Sequence, residues 1–230
     1  MPGRDPQLVG ERITARLARI VADRGSTAGT TPADRVPEPV PTPAAVEDRI
    51  PPRYRGAVAD HPKVESWVRE VASKAAAPSS GARRQVGTGP SLLLAGPTGT
   101  GKTHQAYGAI RSLVATGVGV RWQATTEADL YAGLRLRLGA EAERELAALA
   151  RCPVLILDDL GAARSSEWTE EIVYRLINRR YNDMLPTLVT TNLAIAELRK
   201  AVGDRVASRL AEMTERVVLT GSDRRRRPAA

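Results

Sequence analysis

The stretch Gly96-Pro97-Thr98-Gly99-Thr100-Gly101-Lys102-Thr103 follows an apolar run, Leu92 to Ala95, and opens into a segment with helical periodicity from Lys102 to about Thr116. Strand, glycine-rich loop, then Lys-Thr at the head of a helix is the arrangement of a phosphate-binding loop, and it decides the fold. The glycines let the backbone curl until its N–H groups converge on a phosphate, and the helix start adds the positive end of its dipole. The motif therefore assigns Gly96, Pro97, Thr98, Gly99, Thr100, Gly101, Lys102 and Thr103 to an ATP or GTP site. In it Lys102 reaches the β- and γ-phosphates and Thr103 holds magnesium through its hydroxyl.

Outward from the loop, strand-like and helix-like stretches alternate. Val118 to Ala124 reads as a second strand, and Thr126 with Asp129 starts a helix through about Leu138. Glu141 to Ala150 is helical, and Val154-Leu155-Ile156-Leu157 is a third strand without a polar residue. A strand apolar on both faces belongs in the middle of a parallel sheet covered by helices. Ser166 to Met184 reads as a long helix, Thr187 to Thr191 as a fourth strand, Ile195 to Ala211 as one or two short helices and Val217 to Thr220 as a fifth strand. The alternation predicts an α/β, doubly wound, mostly parallel five-stranded P-loop NTPase fold, with its ligand at the carboxyl ends of the strands.

At the end of the third strand stand Asp158 and Asp159. A carboxylate there lies beside the phosphate loop, so Asp158 is assigned to magnesium and Asp159 to the attacking water. The fourth strand ends in Thr190-Thr191-Asn192, and Asn192 is placed to bond the γ-phosphate or the water. Farther on, Arg205 and Arg209 are four apart and share a face if helical. A guanidinium supplied to a neighbouring subunit's γ-phosphate is the arginine-finger device.

The chain has 230 residues, 34 basic against 26 acidic, a formal +8, and most of the basic residues are arginine. This balance favours an anionic partner. The single cysteine, Cys152, excludes a disulfide within the chain. No segment approaches the run of about 18 apolar residues that spans a membrane, so a cytoplasmic protein with no membrane partner is expected. His61 and His104 lack metal-ligand spacing. Aromatic content is 3% with no Phe, so nucleic-acid binding would rest on backbone phosphates rather than stacking. The basic run Arg224 to Arg227 is a candidate for such contacts.

Ahead of the core, Leu8, Val9, Ile13, Leu17, Ile20 and Val21 recur at helical spacing. Such a helix must bury its apolar face on the core, on another copy or on a partner. Three parts are expected: a partner-binding helix over 1–25, a Pro-rich flexible linker over 26–48, and an ATPase domain over 49–230. The last divides into a lead-in (49–90), a core (91–225) and a tail (226–230). The lead-in carries a helix from about Pro62 to Ala77 and a second flexible stretch from Pro78 to Pro90.

Gly96 to Thr103 followed by His104, Leu155 to Gly161, Pro186 to Asn192, Ser208-Arg209-Leu210 and the lead-in Ile50-Pro51-Pro52-Arg53-Tyr54 together resemble the DnaC/IstB-like AAA+ ATPases. These are bacterial and phage helicase loaders and transposition helper ATPases. The resemblance covers roughly Arg49 to Arg225. It implies ATP and Mg2+ as ligands, Lys102 and Thr103 as Walker A, Asp158 and Asp159 as Walker B and Asn192 as sensor 1. Arg209 becomes the trans-acting finger, with Arg205 as fallback, and Arg225 the second sensor, with Arg224 as alternative. Tyr54 lies where the lead-in borders the adenine, and Arg135 and Arg137 become candidates for DNA contact, since the family has inserted helical structure there that faces a central channel. The short stretch after Asn192 is similar to the loader family, which lacks a helical lid. Asp159 stands where AAA+ enzymes usually have glutamate, and its shorter arm implies slow turnover.

The resemblance implies two functions. One is a DnaC-like loader that forms a homo-oligomer on ATP and single-stranded DNA and grips a replicative helicase of DnaB type through the N-terminal helix. The alternative is an IstB-like transposition helper acting on duplex DNA with a transposase.

Overall fold

The computed structural model describes residues 41–137 and 139–221. The expected N-terminal helix, most of the linker, Leu138 and the Arg224 to Arg227 run, with Arg225, lie outside the described residues.

Five strands form one sheet in the order β2-β3-β4-β1-β5: β1 (Ser91–Ala95), β2 (Trp122–Thr126), β3 (Val154–Asp158), β4 (Thr187–Thr191) and β5 (Thr214–Val218). Every pairing is parallel. Inserting β4 between β1 and β3 brings three carboxyl ends into one row, because Ala95 pairs with Thr191 and Leu157 with Val189. The end of the first strand, the acid pair and the Thr-Thr-Asn cluster are thereby neighbours, although far apart in sequence.

Helices cover both faces. On one side α1 (Pro43–Asp48), α2 (Pro62–Lys74) and α3 (Lys102–Ala115) pack on Leu92, Leu94, Ile156 and Leu188. On the other, α4 (Glu127–Leu136), α5 (Ala140–Arg151), α6 (Glu167–Asn182), α7 (Ile195–Val202) and α8 (Asp204–Met213) pack on Leu93, Leu155, Leu157 and Val189. The alternation of Leu92, Leu93 and Leu94 between the two clusters is the period-2 geometry of a strand covered on both faces.

Two strands differ from expectation, and both are edges. β2 begins at Trp122 rather than Val118: Val118 and Val120 are buried, but Gly119 between them exchanges backbone bonds with Arg84 and Val86 instead of joining the sheet. β5 begins at Thr214, with Glu215 and Arg216 exposed. An edge strand needs little apolar content, so an apolar run is a poor guide to its position.

Two stretches expected to be flexible are built into the fold. At the end of the linker, Thr42 caps α1 by accepting from Ala45 N–H (3.3 Å), and Val46 is 2% exposed. Between Pro78 and Pro90, Arg83 donates to the carbonyls of Gly117 and Val118, and Arg84 to those of Ala72 and Ala75. These guanidiniums satisfy carbonyls near the ends of α3 and α2.

Arg180 on α6 performs the same service in the interior. It is 0% exposed and donates to the carbonyls of Leu149 (3.0 Å), Cys152 (2.7 Å) and Pro186 (2.8 Å) and to Thr187 Oγ1 (2.8 Å). Burial lowers its pKa to about 10. It joins the end of α5 to the start of β4.

Candidate nucleotide site

The loop between β1 and α3 takes its shape from glycines where other residues are excluded. Gly96 has φ 150, and a Cβ there would overlap the Leu219 carbonyl oxygen. Gly101 is the N-cap of α3 at φ 95, the left-handed region that glycine enters without strain. Lys102 is 5% exposed, and its Nζ donates to the loop carbonyls of Gly96 (2.8 Å) and Pro97 (2.9 Å). The ammonium is therefore already desolvated and held at the rim of the loop.

The sheet order brings Thr103 and Asp158 together: Thr103 Oγ1 donates to the carboxylate, 3.0 Å and 3.1 Å from its two oxygens. Asp158 also accepts from Thr190 Oγ1 (2.5 Å). Burial raises its pKa, as does the charge of Asp159, while the Thr190 and Thr103 hydroxyls and the Lys102 charge oppose the rise. A hydroxyl and a carboxylate, both hard oxygen donors, side by side at a phosphate loop suit magnesium.

Asp159 sits at φ 56, a left-handed conformation that costs a non-glycine residue about 1–3 kcal/mol. Its N–H donates to Thr190 Oγ1 (3.0 Å), and its Oδ1 accepts from Asn192 Nδ2 (3.0 Å). Thr190 thus touches both acids. In the sequence Thr190 stands in the cluster that points to Asn192, but a hydroxyl's partners depend on strand order, so its place between the two acids emerges only in the fold.

A cavity of about 450 Å³ opens over these groups, bounded by the loop, Asp159, Asn192, His104, Arg53 and Tyr54. Tyr54 lines this cavity. Its ring stacks on Tyr107 of α3, centroids 4.8 Å apart and 16° from parallel. The Tyr107 hydroxyl is pushed up to about 12, chiefly by burial and then by the Asp158 charge, so it stays neutral.

One face of α3 fastens the lead-in that carries Arg53 and Tyr54. His104 Nε2 accepts from Val58 N–H (3.2 Å), Gln105 Oε1 from His61 N–H (3.3 Å), and Arg111 donates to the Ala57 carbonyl (2.7 Å). Gln105 also donates to Asp60. Gly108 lets the two backbones touch, since a Cβ there would overlap Val58 and Ala59. His104 and Arg53 stand in segments that carry the family resemblance but were given no role at the site: for itself the first was weighed as a metal ligand, and the second lies on a 3-10 turn, Pro52–Tyr54.

The arginines lie elsewhere. Arg209 donates to Asn178 Oδ1 (2.6 Å) and lies 5.0 Å from the Tyr174 ring and 5.6 Å from that of Tyr181. Arg205 lies 5.7 Å from the Tyr174 ring. Both rest on α6 of their own chain, and neither bounds the cavity. Arg135 packs over Trp168 (5.1 Å), which is 37% exposed, and Arg137 donates to the Gly133 carbonyl (3.2 Å).

A parallel sheet with β4 between β1 and β3, a glycine-rich loop after β1 and an acid pair at the end of β3 define a P-loop NTPase of the AAA+ type. Residues 84–226, more than half of the chain, match the family of IstB-like ATP binding proteins, and the chain belongs to that family. It is 28% identical over 123 residues to the replicative helicase loader DnaC of Escherichia coli K12, covering 52% of this chain and 49% of that protein. It is 32% identical over 117 residues to the putative ATP-binding protein of insertion sequence IS5376 from Geobacillus stearothermophilus, covering 50% and 45%. The chain spans about half the length of these curated relatives. The crystal structure of the DnaC helicase loader superimposes with a TM-score of 0.60 at 26% identity, over 74% of this chain and 100% of that one. Among the described residues no helix is long and apolar enough to cross a membrane.

Proposed function

We propose that this chain is an ATP-hydrolysing DNA replication protein, a DnaC-like loader that delivers a replicative helicase of DnaB type to single-stranded DNA. The observation that carries the reading is the likeness to the DnaC loader, which extends over the whole of that structure at 26% identity. In this reading Lys102 reaches the β- and γ-phosphates from its place at the loop rim, and Arg53 and Tyr54 border the base. Thr103 and Asp158 would hold magnesium, which when bound neutralises phosphate charge. Asp159 accepts the proton of the attacking water, and Asn192, bonded to Asp159, orients it. Arg209 serves the site of a neighbouring subunit, leaving its contacts on α6 as the assembly forms. Hydrolysis is slow because aspartate has the shorter arm.

The second reading, a transposition helper acting on duplex DNA with a transposase, is favoured by the insertion-sequence relative at 32% identity. The two separate on DNA preference and partner. Full-length protein with ATP, titrated with single-stranded and duplex DNA at one stated salt concentration, should prefer the single strand, and it should capture a DnaB-type helicase. A variant starting at Pro41, which keeps the Thr42 cap and the buried Val46, should bind ATP but lose the helicase. Duplex preference without helicase capture by either form would favour the transposition helper.

A further inference from the structure

Glu127 is the first residue of α4 and is 4% exposed, a burial that carboxylates seldom reach without partners. Its Oε2 accepts from the backbone N–H groups of Gly161 (2.9 Å) and Ala163 (3.0 Å), and its Oε1 from the Tyr131 hydroxyl (3.0 Å). The same hydroxyl lies 3.2 Å from the Thr169 carbonyl on α6. Burial, together with the neighbouring Glu127 charge, pushes the Tyr131 hydroxyl well above its ordinary ionisation range, so it remains a donor.

The two amides belong to the loop that begins at Asp159. In that loop the Asp159 N–H is held by Thr190 Oγ1, the Leu160 N–H by the Thr190 carbonyl (2.8 Å) and the Ala162 N–H by the Asp159 carbonyl (3.2 Å). Glu127 supplies the acceptors for Gly161 and Ala163, so five consecutive amides are bonded. Gly161 itself takes φ 86, the left-handed region that glycine enters without strain. The left-handed backbone of Asp159 is thus clamped from β4 on one side and from α4 on the other.

We infer that Glu127 is a positioning residue for ATP hydrolysis, its buried carboxylate fixing the loop that presents Asp159 to the water. The inference rests on the reading of Asp159 as the residue that takes the water's proton. Glu127 itself does not line the cavity. Its role is geometric, and misplacing a catalytic group by about 1 Å can lower a rate on the order of 100-fold.

The test compares full-length wild type with Glu127→Gln and Glu127→Met. Glutamine keeps an oxygen for the two amides, and its NH2 can donate to the Tyr131 hydroxyl, which then donates to Thr169. Methionine fills similar space and accepts almost nothing. Glu127→Gln should stay within roughly threefold of the wild-type kcat, whereas Glu127→Met should lose about 10- to 100-fold in kcat with ATP affinity nearly unchanged. Amide hydrogen exchange at Gly161 and Ala163 should accelerate in the methionine variant only. If that variant does not fold, Tyr131→Phe, which removes one anchor of the carboxylate, should lower kcat in the same direction and leave ATP affinity alone. Wild-type kcat in both Glu127→Met and Tyr131→Phe overturns the proposal, as does a glutamine variant as impaired as methionine. Faster loop exchange in Glu127→Met together with undiminished hydrolysis by Asp159→Asn would show that Asp159 is not the base, and would overturn the catalytic consequence while leaving the loop contact in place.

Discussion

Asp158 and Asp159 are adjacent in sequence, yet their surroundings divide their labour. Asp158 turns toward Thr103 and Thr190 under burial that raises its pKa, while Asp159, on left-handed backbone, turns to Asn192 at the cavity. Asp159→Asn keeps the shape of the side chain and its capacity to bond Asn192, but it cannot take a proton. It should bind ATP with wild-type affinity and lose about 100- to 10,000-fold in hydrolysis, measured as phosphate release alongside calorimetric binding. That the phosphate-loop residues and the acid pair share one site was legible in the sequence, because the place of each follows from neighbours along the chain. Thr190, Arg180 and Glu127 were not, since each acts on atoms about thirty residues or more away: Thr190 on Asp158, Arg180 on Leu149, Glu127 on Gly161. No local pattern marks a threonine or a glutamate as buried until strand order is known.

Among the elements, α3 has two functions on two faces. Its first turn carries Lys102 and Thr103, and the stripe His104, Gln105, Gly108 and Arg111 binds the lead-in against it. The lead-in in turn places Arg53 and Tyr54 over the cavity. Gly108→Ala would force these backbones apart, at a cost of about 1–3 kcal/mol in stability. ATP affinity should fall with it, while the protein still folds; thermal melts and calorimetry report the two effects. Undiminished affinity would show that the wall formed by Arg53 and Tyr54 contributes nothing to binding. At this scale the buried strands were the readable ones. β3 and β4 were placed almost to the residue from runs without exposed positions, whereas β2 and β5, with one side open at the sheet edge, carry Gln123, Glu215 and Arg216 and were misplaced by several residues. The lead-in helix at Pro62–Lys74 was read from its pattern, but the anchored stretch before β1 depends on arginines binding distant carbonyls, which composition does not reveal.

For the whole molecule, the proposed mechanism calls on an arginine from outside the chain's own cavity. Arg209 rests on Tyr174 and Asn178, on the opposite side of the sheet from α3. If it serves a neighbour's site, Arg209→Ala should bind ATP normally and fail to hydrolyse it, and mixing it with Lys102→Ala should restore activity. In the mixture an intact Lys102 site meets an intact Arg209 from the adjoining subunit. Recovery on the order of a quarter of wild-type turnover would be the random-pairing expectation if half of the interfaces are mixed and half of those face the productive way, with the finger worth several orders of magnitude. No recovery in demonstrably mixed oligomers would place the finger elsewhere, Arg205 being next along the same helix. All of this depends on ATP occupying the cavity above the Gly96 to Thr103 loop. Calorimetric titration of magnesium ATP into full-length wild type and into Lys102→Ala tests that most directly, with circular dichroism confirming both folds. The account predicts binding to one site per wild-type chain and a loss of about 2–3 kcal/mol or more in the variant, the worth of charge-assisted phosphate contacts in a desolvated site; equal binding by the two proteins would contradict it.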